Sequence, residues 1–258
     1  MLVIALLLSL ILWNLPMGGL LLYPFKLLAT WIHEMSHGLV MLLTGAGLDR
    51  VEIYQDTSGL AYARHGVGQA SRATIAAAGY MSTPLLGAVI LVLGQTHRRA
   101  RLILVVAGVA MAFSAALVIA NDFGLLVVTI GAALCLATAL APERVAIVAV
   151  NFIAAQACIN AVLDIRVLFR SNLVVNGATM GKSDAHNMAA ATFGSPGLWA
   201  AIWLAWSFAL LYVALRWVYL HRQAARPLDE SPAAAVVELS GGPSGESPGP
   251  VAEHEKVA

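Results

Sequence analysis

Long apolar runs recur along most of this chain, and about 20 such residues suffice to cross a bilayer as a helix. That feature decides the class. With 60% hydrophobic and 11% charged residues over 258 positions, against about 25% charge in an ordinary soluble domain, there is too little polar surface for a water-soluble globule. Breaking the apolar windows at charges and at Gly or Pro predicts spans near residues 2–22, 26–44, 73–94, 102–120, 123–141, 145–169 and 197–218. The opening MLVIALLLSLILWNL has neither a positive n-region nor an A-x-A cleavage site, so it reads as the first span rather than a removed signal.

Between the second and third spans, VEIYQDTSGLAYARH sets β-branched and aromatic residues around a Thr57-Ser58-Gly59 turn. This predicts a small hairpin against the membrane. The expected fold is therefore an all-α integral membrane bundle of about six to seven transmembrane helices, with a small β-hairpin between the second and third spans. From Arg226 onward the chain is rich in Pro, Gly, Ser and Glu and cannot bury a core. The expected division is a membrane-embedded domain over 1–222 and a disordered polar tail over 223–258.

Formal net charge is +1, which gives no footprint for nucleic acid. Cys135 and Cys158 both lie in apolar runs and read as packing residues. Arg98, Arg99 and Arg101 follow the third span, and Arg216, Arg222 and Arg226 the last. The positive-inside rule places both groups in the cytoplasm, giving a multi-pass cell-membrane protein with seven spans, N-terminus out and the C-terminal tail cytoplasmic.

Within the second span the sequence reads Trp31-Ile32-His33-Glu34-Met35-Ser36-His37-Gly38, an HExxH. On a helix the two histidines project from one face and can reach one Zn2+, with Glu34 as general base towards a water that the metal activates. An ionisable residue at membrane depth costs about 2.5 kcal/mol or more, so a glutamate between two histidines in an apolar helix argues for chemistry. Catalytic zinc usually takes three protein ligands. The soluble metzincin pattern would need a histidine where Leu43 stands. Glu52 and Asp56 spell a gluzincin ExxxD, but in a strand-and-turn setting.

Better third ligands come later. Gln156, Asn160 and Asp164 fall at i, i+4 and i+8 of an apolar helix, a polar stripe that should face the bundle interior. Asp164 is the preferred ligand, and Asn160 and Gln156 would hold substrate backbone or support the ligands; an ion pair of Asp164 with Arg166 or Arg170 is the competing reading. Asp184 is the rival ligand, although Ser183 or Asp184 also suits the N-cap of a helix through MAAATF. Trp199, Trp203 and Trp206 recur at helical spacing and read as packing or an interfacial belt.

These residues resemble the site-2 protease family of intramembrane zinc metallopeptidases, its compact bacterial branch in particular. The resemblance spans roughly residues 5–218. It rests on the HExxH within a span, the Gly45–Gly59 turn-and-hairpin region, Ala78-Gly79-Tyr80, Asp164-Ile165, Ser183-Asp184-Ala185 and the Trp-rich last helix. It implies His33 and His37 as zinc ligands, Glu34 as catalytic base and a carboxylate from a later segment as third ligand. The family's Asn-Pro-Asp-Gly or Leu-Asp-Gly motif is missing; Leu163-Asp164-Ile165 is the nearest equivalent. The resemblance also implies zinc near the cytoplasmic face, whereas the charge count puts it in the outer half.

The leading expectation is a zinc endopeptidase that cleaves membrane protein substrates within the lipid bilayer. A non-catalytic metal-binding scaffold and a proton or metal transporter are the alternatives.

Overall fold

The computed structural model describes residues 11, 12, 15, 17–168, 174–179 and 182–224. Its elements run α1 (Gly18–Leu43), β1 (Leu48–Ile53), β2 (Gly59–Ala63), α2 (Gln69–Leu93), α3 (His97–Leu117), α4 (Asp122–Ala139), α5 (Glu143–Leu168), β3 (Val174–Val175), β4 (Ala178–Thr179), α6 (Asp184–Ala191) and α7 (Pro196–Ala224). The fold is mostly all-α with a small antiparallel hairpin, as expected. The chain divides between Val218 and Tyr219, and the packing below concerns the first unit. Of the expected tail, residues 223 and 224 are the last of α7 and the rest lies outside the described residues.

Among the described residues five helices, α2, α3, α4, α5 and α7, are long and apolar enough to cross a membrane; the sequence predicts seven spans. Most of the first expected span, 2–22, lies outside the described residues. Its last residues are not a separate element: Gly18–Leu43 is one helix with Pro24 inside it. Sequence reading takes Pro24 as a break, but membrane helices tolerate a proline within them because neighbouring groups re-satisfy the backbone it frees. The second expected span is thus part of α1, which carries Lys26, His33, Glu34 and His37 within it.

The helices divide by what surrounds them. α3 and α4 turn Leu102, Val106, Phe113, Leu126, Ile130 and Leu134 outward, as helices bathed in lipid do. α2 and α5 are the inner pair. Gly87 lets them approach closely, since a Cβ there would lie 2.7 Å from Cys158 Sγ. α1 is tied to α3 by a buried bond from Trp31 Nε1 to Ser114 Oγ, 2.9 Å.

Gly45, at φ +78°, turns the chain out of α1, and β1 and β2 pair antiparallel with a register shift between Leu48 and Arg50. The outer edge of β1 is covered. Val51 N–H bonds the Val118 carbonyl and its own carbonyl accepts from Ala120 N–H, while Ile53 exchanges two bonds with the Asn121 amide, 3.0 and 2.6 Å. An uncovered edge at membrane depth would leave costly unpaired groups. The hairpin lies along α1: Tyr23 hydroxyl donates to the Gln55 carbonyl at 2.7 Å and Thr30 hydroxyl to the Thr57 carbonyl at 2.6 Å.

Candidate metal centre

His33 and His37 lie one turn apart on α1, with Nε2 atoms 3.0 Å from one another. Asp184, the first residue of α6, brings Oδ2 to 3.3 Å from each. α6 is held there by Ala185, Met188 and Ala191, which pack with Ala73, Ala76 and Tyr80 of α2 and Trp203 of α7. Ser183 stands at the N-cap position without a side-chain cap bond; its hydroxyl pairs instead with His186 Nδ1 at 2.9 Å.

The imidazoles are oriented from behind. His37 Nδ1 lies 2.6 Å from the Ile75 carbonyl of α2, so Nδ1–H donates there and Nε2 faces Asp184 with its lone pair. The His33 ring packs edge-on to Tyr80, 4.7 Å between centroids, and Tyr80 stacks on Trp203 at 5.2 Å and 2°. Gly79 makes this approach possible: a Cβ there would lie 2.3 Å from His33 Nε2.

Glu34 is 7% exposed, and its carboxylate faces the Ala61 N–H of β2. The hairpin register explains why that N–H is available. Val51 directs both its backbone groups away from β2, so its partner Ala61 is in a non-hydrogen-bonded pair and points its own groups to the free edge. Gly59 brings that edge onto Glu34, since a Cβ there would lie 2.7 Å from Glu34 Cγ. The free edge of β2, the two histidines, Glu34 and Asp184 line one cavity of about 450 Å³.

Two imidazole nitrogens and a carboxylate are a donor set that zinc takes, and ligands about 2.0–2.1 Å from a tetrahedral ion stand about 3.3 Å from one another. The three donors fit that edge length at 3.0, 3.3 and 3.3 Å. Among the described residues they form the one such group able to hold a metal ion.

Asp164 is not in the group. It is exposed on α5, within electrostatic reach of His33 and Lys26; the side chains of Arg166 and Arg170 lie outside the described residues. Gln156 and Asn160 are buried, Asn160 donating to the Phe25 carbonyl of α1 at 3.3 Å, and neither lines the cavity. Glu52 accepts from Tyr54, Tyr62 and Arg50 within the hairpin, and that bond holds the Tyr54 hydroxyl above its ordinary pKa. Sequence reasoning gave no role to Ile75, Ala61, Arg72 or Asn187, which line the cavity. The run Ala78-Gly79-Tyr80 hinted at α2.

The sequence matches the family described as Peptidase M50B-like over residues 1–214, consistent with a site-2 protease family. No curated protein and no solved structure matches it.

Proposed function

The chain belongs to the Peptidase M50B-like family of membrane metallopeptidases, and on that premise we propose that it is a zinc-dependent endopeptidase that cuts membrane protein substrates at membrane depth. The observation that carries the reading is the meeting of His33 Nε2, His37 Nε2 and Asp184 Oδ2 within 3.3 Å of one another beside a buried Glu34. His33, His37 and Asp184 hold the ion in this reading. Bound zinc supplies a Lewis acid that makes water acidic and polarises a carbonyl.

The chain's own groups do the rest. Glu34 takes the proton of the attacking water at its carboxylate and returns it to the leaving amide nitrogen. The Ala61 N–H, facing that carboxylate, holds it in place between the transfers. The outer edge of β2, with Gly59 and the Ala61 carbonyl, offers backbone groups to an unwound substrate, which adds to the hairpin as an extended strand. α2 closes the opposite wall and excludes lipid from the cleft. The charge pattern supports a cytoplasmic C-terminal tail, and residues 1–222 suffice for the membrane-embedded domain.

The test is Glu34→Gln in the full-length chain, purified in nanodiscs with a fluorogenic membrane-spanning peptide. Zinc content stays at the wild-type level and cleavage falls by about 10²- to 10⁴-fold. Cleavage at the wild-type rate contradicts the mechanism.

A further inference from the structure

The cavity holds charges that the reaction does not use. Two carboxylates line it, Glu34 and Asp184: Asp184 lies against the two histidines, and Glu34 faces the Ala61 N–H. Two cations also line it, Arg72 and Lys182. Both are exposed, and neither makes an ion pair among the described residues. With a divalent ion balanced by Glu34 and Asp184, these two charges leave the cleft net positive.

Their placement sets their range. Arg72, Ile75, Ala76 and Tyr80 fall at i, i+3, i+4 and i+8 of α2 and line the same cavity, a single helix face. At 1.5 Å rise per residue, Arg72 lies about 5 Å along the axis from Ile75, which orients His37, and about 10 Å from Gly79, which receives His33. Lys182 precedes Asp184 by two residues, so the two Cα atoms are at most about 7 Å apart. An extended peptide advances about 3.3 Å per residue, which puts both cations within about three residues of a bond held at Glu34.

We propose that Arg72 and Lys182 form an anion subsite of the cleft. The peptide taken there carries a carboxylate within about three residues of the bond to be cut, as an acidic side chain or as a free C-terminus. This rests on the peptidase reading and adds a substrate class to it. Desolvated beside the ion, the carboxylate meets two donors that have no charge partner among the described residues, and opposite charge across a binding cleft gives selectivity.

The experiment uses the full-length zinc-loaded chain in nanodiscs and a quenched fluorogenic Ala/Leu decapeptide. One Glu, or its uncharged isostere Gln, is walked through the three positions on either side of the central bond. A second pair, without Glu, ends in a free carboxylate or an amide three residues beyond that bond. The Glu or free-acid peptide is preferred by about 5- to 10-fold in kcat/KM, and the preference shrinks with added salt. The side-chain arm and the terminal arm tell the two carboxylate sources apart. Arg72→Gln combined with Lys182→Gln brings the ratio near one, whereas Arg72→Lys combined with Lys182→Arg keeps it, which a merely structural role would not do.

Binding of the same peptides to Glu34→Gln, read by fluorescence anisotropy, follows the same order and needs no turnover. A wild-type chain that cuts Glu and Gln peptides equally overturns the subsite and leaves the peptidase standing. A chain that cuts nothing speaks against the peptidase, and the binding order alone then upholds or overturns the subsite.

Discussion

The stretch of α5 around Asp164 and the short helix α6 that opens on Asp184 each offer a late aspartate, and they are built differently. On α5 the polar residues recur every four positions, but Gln156 and Asn160 are buried, Asn160 against α1, while Asp164 is exposed. That stripe joins helices. α6 is only eight residues long and does not span. Its small apolar face is seated under α2 and α7, which delivers its first side chain to the histidines. Periodicity marks a face of a helix, whereas a ligand is chosen by distance, and distance here is made by packing between elements far apart in the chain.

The contrast can be broken most strongly with the aspartates themselves. Asp184→Asn lowers peptide cleavage by about 10³-fold or more, because the ion and the base act as one unit, and Asp164→Asn stays within about threefold. Rates of a purified chain on one fluorogenic peptide check both. Equal losses would remove the distinction between the two segments.

The next effect sits behind the site. Gly79→Ala forces a methyl to within 2.3 Å of where His33 Nε2 now stands, so the ring must move. Zinc affinity falls about 10- to 100-fold, the range seen when a ligand loses its support, as measured by competition with a chromogenic chelator. Trp203→Leu, which removes the ring stacked on Tyr80, costs several-fold less affinity than Gly79→Ala in the same assay. The smallest effect belongs to α5: Asn160→Leu removes a bond to α1, lowers stability by about 1 kcal/mol in thermal unfolding and leaves zinc affinity unchanged. A zinc defect there would move the polar stripe back to the site.

Much of this architecture was legible in sequence because its signals are local. The HExxH lies within one helix turn, apolar runs report helices one at a time, and the Thr57-Ser58-Gly59 turn sits between two short β-prone runs. The start of α1 was misread because Pro24 was weighed as a break, although it lies inside one continuous helix of a kind that tolerates proline. Trp203 was read as packing; it packs on Tyr80, which itself touches His33. Ile75 and Ala61 carry no motif, and Gly59 is legible only as a turn residue. Ile75 reaches the site because α2 lies against α1, and Ala61 because the register of Val51 with it, and the bonds of Val51 to Val118 and Ala120, turn its backbone groups to the outer edge of β2.

The central claim is that α1 and α6, not α1 and α5, make the metal centre. Bound zinc per purified chain tests it, in wild type, Asp184→Asn and Asp164→Asn. The account predicts about one zinc in wild type and in Asp164→Asn, and almost none in folded Asp184→Asn, since a catalytic zinc needs its third protein ligand. Zinc retained by Asp184→Asn and lost from Asp164→Asn would contradict it.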